Sequence, residues 1–224
     1  MTNRQTLFPI VAADVALFAV MSGTLRVLLF ERVNEPQAGL YALPGAILDP
    51  ARDASIDDTA RRALTSRLEG VQGIYLEQVG VFSGADRDPR GYSVSVGYFA
   101  LLPLDHAVAV STLDGGRMKG QLMPEPTCLP KTVAFDHSVI ISRAAARLNE
   151  KVERLSLPLH LLPSTFTLTQ LQAVCEAVLG KKLEKSSFRR RLRGENNLVP
   201  LRSKFAKGPY RPAQLYRARS RFRF

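Results

Sequence analysis

The sequence predicts an α/β mixed-sheet sandwich over residues 1–155 and an α+β winged helix-turn-helix domain over residues 156–224. Three observations carry that prediction. Strand-like apolar runs and two helical stripes alternate through the first part; a helix, a tight turn, a basic helix and two short strands follow in the second; and charge is divided unevenly between the two. Residues 1–150 hold 14 Lys+Arg against 16 Asp+Glu, whereas residues 151–224 hold 17 against 4, so the whole excess behind the net charge of +11 lies in the last third. A composition of 46% apolar, 23% charged and 8% aromatic residues excludes a disordered polymer and a collagen-like repeat.

Taken in order, Ala12 to Val20 and Leu25 to Val33 read as two strands joined by Ser22-Gly23, which has hairpin chemistry. The stretch from Leu7 to Met21 is interrupted by Asp14 and lacks a convincing cleavage site, so it is not read as a secretory leader. No run is long enough to span a bilayer, and the expected location is the cytoplasm with no membrane partner. Gly39 and Pro44-Gly45 mark a loop, and a helix follows from Ser55 to Leu68. Ser55 is the expected N-cap, Asp57 and Asp58 suit the positive helix end, and Ile56, Ala60, Leu64 and Leu68 share one face. Strands over Ile74 to Phe82 and Tyr92 to Leu102 should pair across the charged loop 83–91. An irregular stretch with Gly115-Gly116, Pro124, Pro126 and Pro130 precedes a helix from Asp136 to Leu155, striped by Ile140, Ala144, Leu148, Val152 and Leu155.

Leu157 to Pro163 reads as an apolar link that packs. With the helix before it, it is expected to be the only path between the two domains. Thr169 to Leu179 forms an amphipathic helix with Leu171, Val174, Cys175 and Val178 inward and Gly180 as its stop. Lys185 to Arg193 forms a second helix with Ser186 and Ser187 near its start, Phe188 and Leu192 inward, and Arg189, Arg190 and Arg193 outward. Leu198 to Arg202 and Gln214 to Arg219 are strands joined by the basic loop 203–211, a wing. Cys128 and Cys175 are far apart and in no metal-ligand spacing, and His106, His137 and His160 are scattered singly; no metal site is assigned.

A recognition helix must hold several cationic side chains on one face, some for phosphates and some for base edges. Ser187, Arg189, Arg190 and Arg193 are the candidates on the helix, and Lys204, Lys207 and Arg211 those on the wing, with double-stranded DNA as partner. A solvated basic surface is the competing reading.

Leu43-Pro44-Gly45-Ala46-Ile47, followed by a helix with Ala60-Arg61-Arg62-Ala63-Leu64, resembles the Nudix box. In that family a helix carries glutamates at i, i+3 and i+4 that hold magnesium against a diphosphate. Here those positions are Ala63, Ser66 and Arg67, and the spacing from Gly45 is about two residues too long, with Ala54 where an earlier glutamate belongs. The first domain is therefore expected to be Nudix-like with no catalytic residues. Together with the winged helix, it resembles the NrtR family of Nudix-related transcriptional regulators. Tyr75 to Val79, Asp86 to Gly91, Val94 to Ala100, Phe135-Asp136-His137 and Phe188-Arg189-Arg190 are similar to stretches of that family.

The resemblance implies a homodimeric repressor of NAD biosynthesis or salvage genes, released from its operator by ADP-ribose or a related nucleotide. It implies no cofactor beyond that effector. A diphosphate bound without magnesium needs another counter-charge, and Arg67, with Arg62, Arg32, Arg87 and Arg90, is expected to supply it. A hydrolase acting on ADP-ribose or another nucleoside diphosphate derivative, and a DNA-binding scaffold whose first domain only dimerises, remain the alternatives.

Overall fold

The computed structural model describes residues 8–68, 73–103, 105–106, 120–124, 133–154, 158–194, 196–206 and 212–219. Along the chain come β1 (Ile10–Met21), β2 (Thr24–Glu31), β3 (Tyr41–Ala42), β4 (Gly45–Ile47), α1 (Ile56–Thr65), β5 (Tyr75–Gly84), β6 (Ser93–Leu101), β7 (Gly120–Pro124) and α2 (His137–Glu153). A short 3-10 turn (Leu159–Leu161), β8 (Phe166–Thr167), α3 (Leu168–Leu179), α4 (Lys185–Arg191), a second 3-10 turn (Leu192–Gly194), β9 (Leu198–Ala206) and β10 (Ala213–Ala218) complete it.

The first seven strands form one mixed sheet in the order β3-β2-β1-β6-β5, with β4 added to β1 and β7 to β2. β1 and β2 turn through Ser22 and Gly23, both at positive φ (51° and 73°), the geometry that matches strand twist in a tight hairpin. β1 runs parallel to β6, which pairs antiparallel with β5 across the charged loop as the sequence predicts. Period-two alternation then sorts the side chains. Ala13, Val15, Leu17, Leu28 and Tyr98 face α1 with Ala60 and Leu64, while Ala16, Phe18, Leu25, Val27 and Phe99 face α2 with Ile140, Ala144 and Leu148. Both faces are covered, which explains why β1 and β2 read as nearly continuous apolar runs.

α1 begins where expected, with the Ser55 side chain accepting from the Asp58 N–H, but it ends at Thr65 with Ser66 as C-cap, so Arg67 lies just beyond it. α3 carries a capping box of Thr167 and Gln170 and stops at Gly180 in the left-handed conformation (φ 64°). β8, β10 and β9 form a three-stranded sheet beside α3 and α4. β7 was not anticipated in the irregular stretch, and the expected wing is shorter, because β9 runs on to Ala206 and takes Lys204 with it. Lys207, Arg211, Cys128, Gly115, Gly116, Leu155 and Leu157 lie outside the described residues.

α2 and the link are not the only path between the two predicted domains. The apolar cluster containing Phe18, Leu25 and Leu148 runs without a break through Leu159, Leu161 and Leu162 to Phe166, Leu171, Val174, Val178 and Phe188. α3 packs directly on β1, β2 and α2. Asn149 Nδ2 donates to the Val178 carbonyl at 3.3 Å and Lys181 pairs with Glu153 at 2.8 Å. The link packs because its leucines have apolar faces to cover.

His160 in the link lies against the Tyr75 ring, centroids 4.8 Å apart, and burial holds its imidazole below the ordinary value of 6.5. The unfolded chain then binds this proton more readily than the folded one, so stability falls as pH drops below the unfolded value. Thermal melting is expected to show a midpoint that declines between about pH 7 and pH 5, and His160→Phe should flatten that slope. An unchanged slope in the variant would place the titration elsewhere.

Candidate functional site

A cleft of about 210 Å³, open to solvent, lies where β1 begins and β2 ends, lined by β4, the loop before β6 and the start of α2. Its floor is built on Asp14, a single carboxylate in the otherwise apolar strand β1. Ser95 Oγ donates to Asp14 Oδ2 at 2.5 Å, His137 Nε2 lies 3.4 Å from Oδ1, and Arg87 Nη2 lies 3.8 Å from Oδ2. Burial opposes the Asp14 charge most strongly, but His137, Ser95 and Arg87 together outweigh it and hold the carboxyl below its ordinary value. The Leu43 N–H donates to His137 Nδ1 at 2.9 Å, so the ring proton sits on Nε2, facing Asp14. Gly45 fits this floor because a Cβ there would stand 2.2 Å from Asp14 Oδ1.

Arg87 is the other fixed member. Its Nε and Nη2 donate to both oxygens of Asp136, the N-cap of α2, at 3.0 and 2.6 Å, and Nη1 donates to Ser93 Oγ at 3.0 Å. With 9% of its side chain exposed, it braces the floor.

Three further guanidinium groups converge on the cleft. Arg67 lies over the Phe30 ring at 5.3 Å, Arg32 over the Phe135 ring at 4.7 Å, and Arg90 holds Asp88 through Nε and Nη2 at 3.0 and 2.7 Å. Burial pushes Arg67 below its ordinary value and Arg32 pushes it further; Arg32 is lowered by burial and then by Arg90. These cations crowd one another, and an anion between them relieves the repulsion.

Arg62 is placed elsewhere. Its Nε and Nη2 clasp Asp53 at 2.8 and 2.6 Å, Nη2 also donates to the Ile47 carbonyl, and it does not line the cleft. It ties α1 to β4 and the preceding loop. Of the three positions at which the Nudix resemblance places glutamates, Ala63 is buried, Ser66 caps α1, and Arg67 lines the cleft. Among the described residues, no group of three His, Cys, Asp or Glu is arranged to hold a metal ion. Sequence reasoning missed Asp14, Ser93 and Ser95 as floor residues. The one available signal was a charge inside an apolar strand.

The second surface is the face of α4. Glu176 and Gln172 brace the turn before it: Leu183 N donates to Glu176 Oε1 at 3.1 Å and Gln172 Nε2 donates to the Leu183 carbonyl at 2.9 Å. Bonds from Lys182, Gln172 and Leu183 pull the Glu176 carboxyl down to about 2. Glu184 caps α4, accepting from the Ser186 and Ser187 N–H groups at 2.8 and 2.7 Å. Phe188 is buried, Arg190 is exposed, and Arg189 is half-buried with Nη2 donating to Thr169 Oγ1 at 3.2 Å. Arg193 is exposed on the 3-10 turn after the helix, and Lys204 on β9. Lys185, Arg191 and Arg202 are exposed cations that the sequence reading did not single out.

A family model described as the NrtR DNA-binding winged helix domain matches residues 158–218. The chain is 39% identical over 209 residues to the ADPR responsive transcriptional repressor NtrR of Acinetobacter baylyi (strain ATCC 33305 / BD413 / ADP1), covering 93% of this chain and 82% of that protein. It matches the crystal structure of Shewanella oneidensis NrtR complexed with a 27mer DNA at a TM-score of 0.81 and 32% identity, over 93% of each chain. The NUDIX domain of Shewanella oneidensis NrtR, complexed with ADP ribose, aligns at a TM-score of 0.52 and 29% identity, over 66% of this chain and 94% of that one. The fold is thus a Nudix-like mixed-sheet sandwich followed by a winged helix, and the chain belongs to the NrtR family of Nudix-related transcriptional regulators.

Proposed function

We propose that this protein is a DNA-binding repressor of NAD biosynthesis or salvage genes, released from its operator when ADP-ribose or a related nucleotide occupies the cleft. One observation carries the reading: a cleft of converging guanidinium groups shares a continuous core with a helix-turn-helix whose second helix exposes a cationic face. The named relatives, a repressor responsive to ADP-ribose and structures with DNA and with ADP ribose, support it. Residues 1–155 act as the sensor and 156–224 as the DNA reader, working as a cytoplasmic homodimer so that two winged helices meet two half-sites. Ser187, Arg190, Arg193 and Lys204, with Lys207 and Arg211, contact DNA, and Arg189 holds α4 against α3.

The reading assigns no hydrolysis. Magnesium needs anionic oxygens, and where hydrolases of the fold carry glutamates this chain has Ala63, Ser66 and Arg67. Arg67 takes the metal's place as counter-charge, aided by Arg32 and Arg90, over a floor fixed by Arg87 and Asp14. Arg67→Ala is expected to weaken ADP-ribose binding roughly tenfold, the loss of one charge-assisted contact, with operator affinity unchanged. Calorimetry of the variant tests this, and an unaltered ligand affinity removes Arg67 from the site. Incubation of the wild-type protein with ADP-ribose and magnesium, followed by phosphatase, is expected to release no phosphate.

Release requires the ligand to prefer the arrangement with lower DNA affinity, and a coupling of about 1–3 kcal/mol gives roughly 5- to 150-fold regulation. α2 is suited to carry it. Its first residue, His137, lines the cleft and its cap, Asp136, holds Arg87 there, while Asn149 and Glu153 near its other end hold α3 and the turn beyond.

A further inference from the structure

The first two strands of the sensor reach from the cleft to the DNA reader. β1 begins at the cleft with Ile10, Ala12 and Asp14, and β2 ends there with Phe30 and Glu31. Their other ends meet in the Ser22-Gly23 turn, which bears on α3. The contact is narrow. A hollow of about 350 Å³ lies on one side of it, bounded by Thr24, Leu25, Glu176 and Lys182, and one of about 150 Å³ on the other, bounded by Val20, Leu161, Pro163 and Gln170. Gly23 and Ala173 line both hollows, so the tip of the hairpin stands against α3 between them. β1 is paired with β2, β4 and β6, which makes the hairpin a stiff mount.

α3 and α4 form one body. Arg189 Nη2 donates to Thr169 Oγ1 at 3.2 Å, and Leu183 in the intervening turn is bonded through its N–H and carbonyl to Glu176 and Gln172. α2 grips that body away from the hairpin tip: Asn149 holds the Val178 carbonyl and Glu153 holds Lys181. At about 1.5 Å per residue, Val178 lies about 7.5 Å along α3 from Ala173, and Thr169 about 6 Å the other way. Leu171, Val174 and Val178 keep α3 seated in the core, so its freedom is a tilt and not a displacement. Helices at interfaces shift by about 1–2 Å in switching transitions, and a tilt on that scale meets open space on either side of the turn. Resting on the functional reading above, we propose that the β1–β2 turn is the fulcrum on which the DNA reader rocks. α2 moves α3 at Val178, the turn stays fixed against Ala173, and α4 is carried to a different angle against DNA.

The test fills the hollows. Ala173→Leu adds bulk where α3 faces the turn, at an exposed position and with a good helix former, whereas Ala173→Ser changes the residue and fills almost no space. The readout is the ratio of operator affinities without and with saturating ADP-ribose, because locking the tilt can move either affinity alone and only the ratio reports coupling. Ala173→Leu is expected to bring that ratio down roughly fivefold, while Ala173→Ser leaves it at the wild-type value. Thr24→Ile, which fills the larger hollow from the sensor side, is expected to act in the same direction, and it decides the matter if Ala173→Leu fails to fold. Wild-type ratios in the filled variants overturn the proposal. So does an equal loss in Ala173→Ser, which makes the effect one of α3 stability and not of space. A wild-type protein whose operator affinity ADP-ribose does not change overturns the effector reading, and the fulcrum with it.

Discussion

Gly45→Ala is expected to lower stability by about 3 kcal/mol and to abolish ADP-ribose binding. The added Cβ would stand 2.2 Å from Asp14 Oδ1, closer than side chains approach, and a tight 3.3 Å from Asp14 Cγ. Asp14 has no room to yield, because Ser95, His137 and Arg87 hold it from three directions and it is 8% exposed. Moving it would leave a buried carboxylate short of its partners, the situation that makes buried ion pairs costly to break. Gly45 is not needed for its backbone, which is absent from the positive-φ residues. Alanine there would otherwise be slightly stabilising through the unfolded chain. Thermal melting of Gly45→Ala should therefore show a midpoint lowered by roughly 6–12 °C for a chain of this size. Gly45→Ala combined with Asp14→Ser, which removes the colliding oxygen, should recover part of that loss. A single variant as stable as wild type would mean the floor is looser than the hydrogen bonds indicate.

Replacing both Arg190 and Arg193 with alanine is expected to reduce operator affinity by at least 100-fold while leaving ADP-ribose affinity intact. Both side chains are exposed and neither holds the fold together: Arg190 has a long contact to Ser187 Oγ at 3.4 Å, and Arg193 lies beyond the helix. Contact with a guanine edge is worth about 1–3 kcal/mol, and each lost phosphate contact lowers the salt slope by about one. Fluorescence anisotropy on operator and scrambled duplexes across a salt series separates these roles. A uniform loss on both duplexes assigns the pair to phosphates, and a loss confined to the operator assigns them to bases. Unchanged binding on both would remove α4 from the interface. Arg189→Ala is the contrasting variant, because its link to Thr169 braces α4 against α3 and its loss should show in thermal stability as well as in DNA affinity.

Legibility followed the physics of each element. β1 and β2 were readable as apolar runs covered on both faces, β5, β6, α1, α2 and α3 because each covers apolar surface at a fixed period, and Ser55, Ser22-Gly23 and Gly180 marked ends by local chemistry. β7 was not, because a short strand added to β2 from a glycine- and proline-rich stretch has no period of its own. The cleft cations Arg32, Arg67, Arg87 and Arg90 were picked out by resemblance and by charge, and the fold brings them to one cavity. The floor was hidden, since it joins residues far apart in the chain: Leu43 and His137 are 94 positions apart, and Asp14 and Ser95 are 81. His137, read as a lone histidine, becomes informative only when Leu43 and Asp14 stand on either side of it. Arg62 shows the opposite error, a cation selected by its position in a motif, whose partner Asp53 lies outside that motif.

Release of DNA by the effector is tested by titrating ADP-ribose into the protein bound to DNA from upstream of its own gene and of neighbouring NAD-metabolism genes. Competitor DNA must be present, because a last third this basic is expected to bind any duplex at low salt. Sequence-preferring binding that ADP-ribose releases is expected, with the midpoint of release displaced to higher concentration by Arg67→Ala. Specific binding that ADP-ribose leaves untouched would contradict it.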